Sequence, residues 1–510
     1  MSDRRVRVRF APSPTGPLHI GGVRTALFNY FFAKKHGGDF LLRIEDTDSQ
    51  RFVPGAEAYI NQALNWCGIK IDEGVAEGGK YAPYRQSERR AIYKQYADQL
   101  VASGNAYYAF DSSESLDELR KDAEAKGEVF TYNYAIRNGM NTSLTISPEE
   151  VQTRISKGDK WVIRFKMPEN EVVRMTDLIR GDVVVNTATL DDKVLFKSSD
   201  MLPTYHLANV TDDYLMEISH VIRGEEWLPS LPLHVLLYKA LGWNDNMPQF
   251  AHLPLLLKPA GNGKLSKRDG DKMGFPVFPL FWTSPDGETA HGYREDGYFP
   301  EAFVNLLALL GWNPGTEQEM LSMDELIQQF SFEHVNKSGA RFDPVKAKWF
   351  NHQYLVQKNN AELAKLYLPI LNEKGFEAEP ATVEKIVNLM KERVNFVHEI
   401  WEKSSFFFEE PASYDGAAVQ KFWKADTAVI MNEVADVLET INPFEAHEIE
   451  EGLLAFINEK SYGTGKVMNA LRLVLIGTSN GPGVADICEI LGKAATIRRI
   501  NTAVASIQTN

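Results

Sequence analysis

The N-terminal segment has the hydrophobic and polar pattern of a strand, a loop, a helix and a second strand. Val6, Val8 and Phe10 alternate with arginines, which is the period of a β-strand. After a loop with three prolines, an apolar run from Val23 to about His36 predicts a helix, and residues 40–44 predict a second strand. This order is the building block of a parallel sheet.

Three later parts of the chain also carry interpretable patterns. Residues 218–222 form a mainly apolar run that predicts a strand ending beside Arg223, and residues 231–238 predict a helix that packs against a sheet. Residues 351–510 have helical periodicity throughout and little strand signal. The predicted fold class is therefore α/β with a parallel sheet, followed by an all-α C-terminal region.

The composition is that of a globular protein with several domains. The chain has 510 residues, of which 44% are hydrophobic and 24% are charged. It has neither an apolar signal core at the N-terminus nor a run of eighteen apolar residues, so we expect a cytoplasmic protein. Cys67 and Cys488, the only cysteines, form no C-x-x-C pair and support neither a disulfide framework nor a cysteine zinc site.

The first candidate for chemistry is the loop from Pro12 to Gly22. It lies between a predicted strand and a predicted helix, where parallel sheets bind nucleotides. Gly21 and Gly22 allow the backbone to approach a phosphate closely, and a helix N-terminus favours negative charge. His19 can donate a hydrogen bond to a phosphate oxygen. The alternative interpretation is a tight loop with one incidental histidine.

The second candidate is the segment Lys264-Leu265-Ser266-Lys267-Arg268, which glycines flank as in a mobile surface loop. Lys264 and Lys267 can both reach a polyphosphate and neutralise the charge of a leaving pyrophosphate. The alternative for this segment alone is a solvated basic loop. Together, and in this order, the two segments predict an enzyme that splits ATP between its α- and β-phosphates to activate a carboxylate.

These segments resemble the HIGH and KMSKS motifs of class I aminoacyl-tRNA synthetases. Four further stretches, residues 43–48, 84–89, 203–210 and 221–227, resemble bacterial glutamyl-tRNA synthetases in the same order. The resemblance implies a Rossmann-like parallel-sheet catalytic domain that binds ATP with Mg2+, the metal being held mostly through phosphates and water. The residues that it assigns to ATP and its phosphates are Pro12, His19, Gly21, Gly22, Lys264, Ser266, Lys267 and Arg268.

Recognition of L-glutamate can be argued from charge. Because this substrate presents two carboxylates and one ammonium, its pocket needs two cationic groups and an acceptor for the ammonium. The resemblance supplies Arg9, Ser13, Glu45, Tyr205, Asn209 and Arg223. Glu45 is expected to accept the ammonium, and Tyr205 and Asn209 are spaced to share a helix face. Which arginine binds which carboxylate stays open, and the alternative for each arginine is a surface ion pair.

The resemblance also implies a division into domains. The catalytic domain would occupy residues 1–87 and 202–257, with a helix-rich acceptor-stem-binding domain inserted at residues 88–201. A connecting domain with the mobile lysine loop would follow at residues 258–350, and a helical anticodon-binding region with two subdomains at residues 351–510. Some relatives carry a zinc-binding cysteine cluster in the inserted domain, which this chain lacks, so we predict no structural zinc and no protein metal site.

The implied partners are tRNA(Glu), L-glutamate and ATP, and we expect a monomer that binds no membrane. The net charge of −14 predicts salt-sensitive, specific tRNA binding with little affinity for other nucleic acids. Arg393 and Arg472 fall near positions that contact anticodon bases in the family, and an arginine can read a base edge. A helix-surface salt bridge is the alternative for both arginines.

The implied reaction has two steps. The α-carboxylate of glutamate attacks the α-phosphorus of ATP to give glutamyl-adenylate, and the terminal ribose hydroxyl of tRNA then takes the glutamyl group. Because positioning and charge neutralisation dominate such chemistry, we expect no protein nucleophile and no essential general base. The resemblance also suggests that the first step needs tRNA.

Other functions remain alternatives. The enzyme could also charge tRNA(Gln) with glutamate. Glutaminyl-tRNA synthetases share the catalytic domain but end in β-barrels, and stand-alone glutamyl transferases lack an anticodon domain. A non-catalytic tRNA-binding paralogue would be expected to have lost His19, Lys264 or Lys267, and all three are present.

Residues 275–285, which follow the lysine loop, are unusually rich in aromatic side chains. We expect an insertion that packs on its own domain. The alternative is an exposed apolar patch that contacts tRNA or another partner.

Overall fold

A computed structural model describes residues 4–507 of the chain. The chain divides into two compact units, Met1–Phe350 and Asn351–Asn510. The first unit begins with the predicted strand, loop, helix and strand, namely β1 (Arg7–Phe10), α1 (Ile20–Lys35) and β2 (Asp39–Leu42). β1 and β2 pair in parallel, so this part of the prediction is confirmed.

β1 is buried on both faces, although alternation of apolar residues with arginine is typical of a half-buried strand. Its arginines are buried because carboxylates compensate their charge. Arg7 contacts Asp39 and Glu73, each at 2.8 Å, and Arg9 contacts Asp213 at 2.9 Å. The polar positions of this strand are thus the donors of buried ion pairs.

The chain then builds a mixed region of helices and strands. Its helices are α2 (Ala56–Trp66), α3 (Arg90–Ala102), α4 (Ser113–Ala125) and α5 (Pro148–Lys157). Its strands are β3 (Ala106–Ala109), β4 (Val162–Phe165), β5 (Val172–Asp177), β6 (Gly181–Asn186), β7 (Val194–Lys197) and β8 (Leu202–Pro203). Residues 88–201 were predicted to be helix-rich, and α3, α4 and α5 lie there, but the prediction did not include the five strands β3 to β7. Burial alternates along β5, which is the period-two signal that the prediction missed.

The parallel sheet resumes after residue 203. The chain continues with α6 (Tyr205–Leu215), β9 (His220–Gly224), α7 (Leu231–Ala240) and β10 (Gln249–Leu253). The next strand, β11 (Leu256–Leu257), lies outside this sheet and pairs in parallel with residues 340–341. β9 pairs in parallel with β10, β10 with β5, and β5 in antiparallel with β6. The Ser219 N–H donates to the Arg7 carbonyl at 2.9 Å, which joins β9 to β1. The hairpin β5–β6 therefore extends the sheet that the N-terminal strands begin.

The rest of the first unit contains short elements around the lysine loop. They are α8 (Lys267–Met273), β12 (Trp282–Thr283), β13 (Thr289–Ala290), α9 (Pro300–Ala308), α10 (Met323–Gln329) and β14 (Ala340–Arg341), before α11 (Pro344–Gln357). Part of the expected mobile loop is helical, because α8 begins at Lys267. The carboxylate of Asp269 accepts the Ser266 N–H at 3.0 Å and fixes that helix start.

The second unit is built from helices, and no strand lies within residues 351–507. After the end of α11 they are α12 (Asn360–Glu373), α13 (Pro380–Met390), α14 (Glu399–Ser404), α15 (Gly416–Phe422), α16 (Thr427–Thr440), α17 (Ala446–Glu459), α18 (Thr464–Ile476), α19 (Val484–Leu491) and α20 (Lys493–Ser506). The helical prediction for this region is confirmed. Across residues 4–507, no helix combines the length and the hydropathy needed to cross a membrane.

Short 3-10 helices connect the elements of both units. They lie at Ser49–Arg51, Gln86–Arg89, Arg137–Gly139, Thr187–Thr189, Glu225–Ser230, Asn244–Asn246, Phe332–His334, Lys391–Arg393 and Ser405–Phe407.

Candidate active site

A cavity of about 460 Å³ lies at the carboxyl ends of β1 and β9. This is where open parallel sheets place their ligands. The residues predicted for glutamate all line it, namely Arg9, Ser13, Glu45, Tyr205, Asn209 and Arg223. Of those predicted for ATP, Pro12, His19, Gly21, Gly22 and Lys264 line it as well, whereas Ser266, Lys267 and Arg268 do not.

His19 is the N-cap of α1 and a neutral hydrogen-bond donor. Its Nδ1 accepts the Gly21 N–H at 3.2 Å, so the ring proton belongs on Nε2. Nε2 is buried and has no partner within residues 4–507. Burial, assisted by the charge of Lys264, lowers the pKa of His19 to about 4. A buried donor without a partner beside a cavity is suited to a ligand oxygen.

The two glycines after His19 have different surroundings. A Cβ on Gly22 would lie 2.5 Å from Cδ1 of Leu18, so a larger residue there would require the Leu18 side chain to move. A Cβ on Gly21 would lie 3.7 Å from His19 Nδ1, which is ordinary contact. The contact with Leu18 is thus a packing constraint on Gly22. The sequence argument considered only the approach of the backbone to a phosphate and did not include it.

Both lysines of the second segment are in ion pairs. Lys264 Nζ lies 3.2 Å from Glu226 Oε1, and Lys267 Nζ lies 3.5 Å from Glu288 Oε2. The Ser266 hydroxyl donates to Asp269, and Arg268 is exposed. In this state Lys264 faces the cavity, while the following residues are organised around the start of α8.

Beneath the cavity lies a buried cluster of two arginines and two carboxylates. Asp213 accepts Arg9 Nε at 2.9 Å and Nη2 at 3.2 Å, and it also accepts Arg43 Nη1 at 2.7 Å. Arg43 Nη2 donates to Glu45 at 2.9 Å. The sequence argument assigned no role to Arg43 or Asp213. An arginine between Leu42 and Ile44 in an apolar segment was a signal for a buried ion pair.

Glu45 faces the cavity from this cluster. Its Oε1 accepts hydrogen bonds from Arg43 and from Asn209 Nδ2, the latter at 3.2 Å. Burial raises the pKa of Glu45, although the charges of Arg43 and Arg9 act in the opposite direction. Asn209 and Tyr205 share a face of α6, as their spacing predicted.

Arg223 differs from Arg9 because no carboxylate oxygen lies within 4.0 Å of it in the described part of the chain. Its partners are neutral. Nη1 donates to the Tyr205 hydroxyl at 2.8 Å, and Nε donates to His252 Nε2 at 3.0 Å. The Tyr205 ring packs in turn against the Trp227 ring, with centroids 4.2 Å apart and the ring planes tilted by 31°. Neither arginine is the surface ion pair of the alternative interpretation, because both are buried.

The aromatic segment packs within the first unit, but not only on its own predicted domain: Phe275 contacts Phe342, whereas Val277, Phe278 and Trp282 contact residues 1–87. The Val277 carbonyl accepts the Ile20 N–H at 3.0 Å, at the start of α1. The Phe278 ring meets the edge of His19 with centroids 5.9 Å apart, and the Trp282 ring meets Tyr59 at 5.3 Å. The segment therefore supports the loop that carries His19.

In the second unit, Arg393 and Arg472 lie near one another. Arg472 donates to the Pro482 carbonyl at 3.1 Å and to Asn469 Oδ1 at 3.2 Å. Burial, with the nearby charge of Arg393, lowers the pKa of Arg472. Neither arginine has an ion pair within residues 351–507, so the salt-bridge alternative does not describe them.

Comparison with known proteins covers both units. A family described as "tRNA synthetases class I (E and Q), catalytic domain" matches residues 5–349, and an "anticodon binding domain" matches residues 361–504. The glutamate–tRNA ligases of Parabacteroides distasonis and Porphyromonas gingivalis are 59% and 58% identical to this chain, each over 99% of both sequences. A solved glutamate tRNA ligase from Elizabethkingia meningosepticum, in complex with its amino acid, has a TM-score of 0.96 and 52% identity. It covers 99% of this chain and 100% of its own.

Proposed function

We infer the function of this chain from the family to which it belongs, the class I tRNA synthetases of the glutamate and glutamine type. The reaction is that of a glutamate–tRNA ligase, which activates L-glutamate with ATP and transfers it to tRNA. Relatives similar over the full length carry this name, and nothing favours a glutaminyl or a non-catalytic function.

We propose that the charge of the pocket selects glutamate. Arg9 and Arg43 are compensated by Asp213 and Glu45, whereas Arg223 has no carboxylate partner in the described residues. Glutamate carries one more negative charge than glutamine, and that charge is on its side chain. Arg223 is therefore our candidate for the side-chain carboxylate, and this uncompensated arginine is the observation that carries the proposal.

The remaining contacts of the amino acid follow from the same cavity. Glu45, held by Arg43 and Asn209, presents an anionic acceptor to the substrate ammonium. Two of the three guanidinium nitrogens of Arg9 are bound to Asp213, which leaves Nη1 for the substrate. Ser13 and Tyr205 line the same space and supply hydroxyl groups.

We propose that ATP binds between the two predicted segments. The neutral Nε2–H of His19 would donate to a phosphate oxygen without requiring a proton from solvent. Lys264 lines the cavity already, and Lys267 would join it when the loop closes over the pyrophosphate. Mg2+ would accompany ATP through phosphate oxygens and water. Pro12 and Gly21 line the wall on which the nucleotide would rest.

The tRNA contacts are proposed from the two arginines of the second unit. Burial, and after it the nearby charge of Arg393, lowers the pKa of Arg472, and neither arginine is neutralised by a carboxylate within residues 351–507. Such a pair attracts the phosphates and base edges of a nucleic acid. The division at residues 88–201 and 351–510 into acceptor-binding and anticodon-binding regions, the monomeric state and the absence of structural zinc stay predictions.

ATP–pyrophosphate exchange in the presence of tRNA, with glutamate and glutamine compared, tests this function. We expect exchange with glutamate and none with glutamine. Charging of purified tRNA(Glu) and tRNA(Gln) then decides whether one or both are substrates. Equal exchange with the two amino acids would contradict the proposed role of Arg223, and no exchange with either would contradict catalysis itself.

A further inference from the structure

Two buried residues, His252 and Asp177, lie in sequence on the side of Arg223 that faces away from the cavity. Arg223 Nε lies 3.0 Å from His252 Nε2, and His252 Nδ1 lies 2.6 Å from Asp177 Oδ2. Their exposed fractions are 5% for Arg223, 0% for His252 and 1% for Asp177. The three side chains form one continuous chain that ends at the cavity.

The protons of this chain can be assigned. A guanidinium has only donors, so His252 Nε2 must be the unprotonated nitrogen that accepts. The ring proton is then on Nδ1, which donates to Asp177. The other carboxylate oxygen of Asp177 accepts the backbone N–H groups of Ile179 and Arg180 at 3.0 and 2.8 Å. Asp177 is thus fixed by the turn after β5, and it selects the tautomer of His252.

We propose that Asp177 and His252 are positioning residues for glutamate recognition. Asp177 holds His252 in the tautomer that presents an acceptor to Arg223, and His252 in turn fixes the plane of the guanidinium. The inference rests on the proposed contact between Arg223 and the side-chain carboxylate of glutamate. Arg223 can then bind the substrate carboxylate effectively only while His252 and Asp177 hold its guanidinium in place.

The other contacts of Arg223 do not fix it equally well. Nη1 lies 2.8 Å from the Tyr205 hydroxyl but 3.4 Å from His234 Nδ1, and Nη2 lies 3.4 Å from the Trp227 carbonyl. The hydrogen bond from Nε to His252, at 3.0 Å, is shorter than the contacts with His234 and Trp227. It holds the edge of the guanidinium that adjoins the aliphatic part of the side chain. Without it, the guanidinium can rotate about the Tyr205 contact, and a bidentate bond to a carboxylate requires a fixed plane.

The location of Asp177 gives this arrangement a further meaning. Asp177 ends β5, which belongs to the segment inserted at residues 88–201, and β5 joins the main sheet through its pairing with Phe250 of β10. The inserted segment therefore supplies a residue to the rear of the amino-acid pocket.

The test compares Asp177→Asn, His252→Leu and His252→Gln. An asparagine can keep its oxygen on the two backbone N–H groups while its amide donates to His252 Nδ1. The ring proton then moves to Nε2, where it faces the donor of Arg223. We expect Asp177→Asn and His252→Leu each to raise the KM for glutamate about tenfold or more, because a charge-assisted bond is lost. The KM for ATP should change less than about twofold.

His252→Gln is the conservative variant, since its amide can donate to Asp177 and its oxygen can accept from Arg223. It should recover most of the glutamate affinity that His252→Leu loses. A merely structural role would instead give similar losses in all three variants, with lower Tm and higher KM for both substrates, and would overturn the inference. An unchanged glutamate KM in Asp177→Asn would overturn it as well.

Arg223→Lys separates this inference from the function on which it rests. If that variant leaves the glutamate KM unchanged, the proposed contact of Arg223 is wrong. If Arg223→Lys weakens glutamate binding and Asp177→Asn does not, only the positioning role is wrong.

Discussion

Acidification from pH 7 to pH 5 should destabilise the first unit through histidines that are buried in their neutral form. Burial is the first cause of the lowered pKa of His19, His206 and His220, each of which falls to about 4. Their unfolded value is 6.5. Between these values the unfolded chain binds more protons than the folded chain, so the free energy of unfolding falls as the pH falls.

The magnitude follows from the same pKa values. A histidine whose pKa falls from 6.5 to about 4 loses about 2 kcal/mol of stability between pH 7 and pH 5. The three together give about 5 kcal/mol after allowance for their partial exposure. Carboxylates with lowered pKa values, such as Asp39 and Asp213, lose their contribution only below their ordinary pKa of 3.8, outside this window. Burial raises the pKa of Glu45, which opposes the trend as the pH falls.

Urea unfolding followed by tryptophan fluorescence measures this loss, because seven of the nine tryptophans precede residue 351. The free energy of unfolding should fall steadily from pH 7 to pH 5. Burial also lowers the pKa of His234 and of His252, so His220→Gln should reduce the slope by about a quarter or less. His291→Gln is the matched control, since the side chain of His291 is 77% exposed and should leave the slope unchanged. A flat profile over this range, or a slope that His220→Gln does not alter, would refute the argument.

Three further results are expected. Lys267→Ala should lower the rate of ATP–pyrophosphate exchange about 100-fold while changing tRNA affinity less than about twofold, and an equal loss of tRNA binding would contradict its role at pyrophosphate. Arg472→Ala should weaken tRNA binding about tenfold in a filter-binding assay, yet leave exchange at saturating tRNA nearly unchanged. Asp192→Asn should lower the free energy of unfolding by about 3 kcal/mol in urea, because buried Asp192 accepts from Tyr107 at 2.6 Å and lies 3.3 Å from Arg137. A Tm within about 1 °C of the parent would show that this cluster is dispensable.

The elements that the sequence predicted are those whose signal is local. The apolar run after Gly22 predicted helix α1, and the spacing of Tyr205 and Asn209 predicted that both lie on one face of a helix. The helix start at Lys267 was also readable, because Ser266 followed three residues later by Asp269 is a capping signal. The flanking glycines favour a loop, but the capping signal places a helix start at Lys267.

The partners of buried charges could not be predicted in the same way. Arg43 lies 170 residues from Asp213 and Arg223 lies 29 residues from His252, and no periodicity connects such positions. The same holds for β5, whose alternation predicts a strand but not the parallel pairing with β10. The pairing of β5 with β10 depends on how residues 88–201 fold back onto the sheet, and the two side-chain contacts depend on the arrangement of the strands and helices that carry them.

The cations of the cavity divide by burial into those that stay paired and those that can exchange partners. The pair of Arg9 with Asp213 is buried, so breaking it would leave an uncompensated charge, and we expect the pair to persist when substrate binds. The pairs of Lys264 and Lys267 are exposed, and such pairs contribute about 0 to 1 kcal/mol. A polyphosphate carries several negative charges and can displace a single carboxylate from each lysine at little cost. A chain with a net charge of −14 can therefore bind ATP and glutamate, because Arg223 is uncompensated and both lysines are held only weakly.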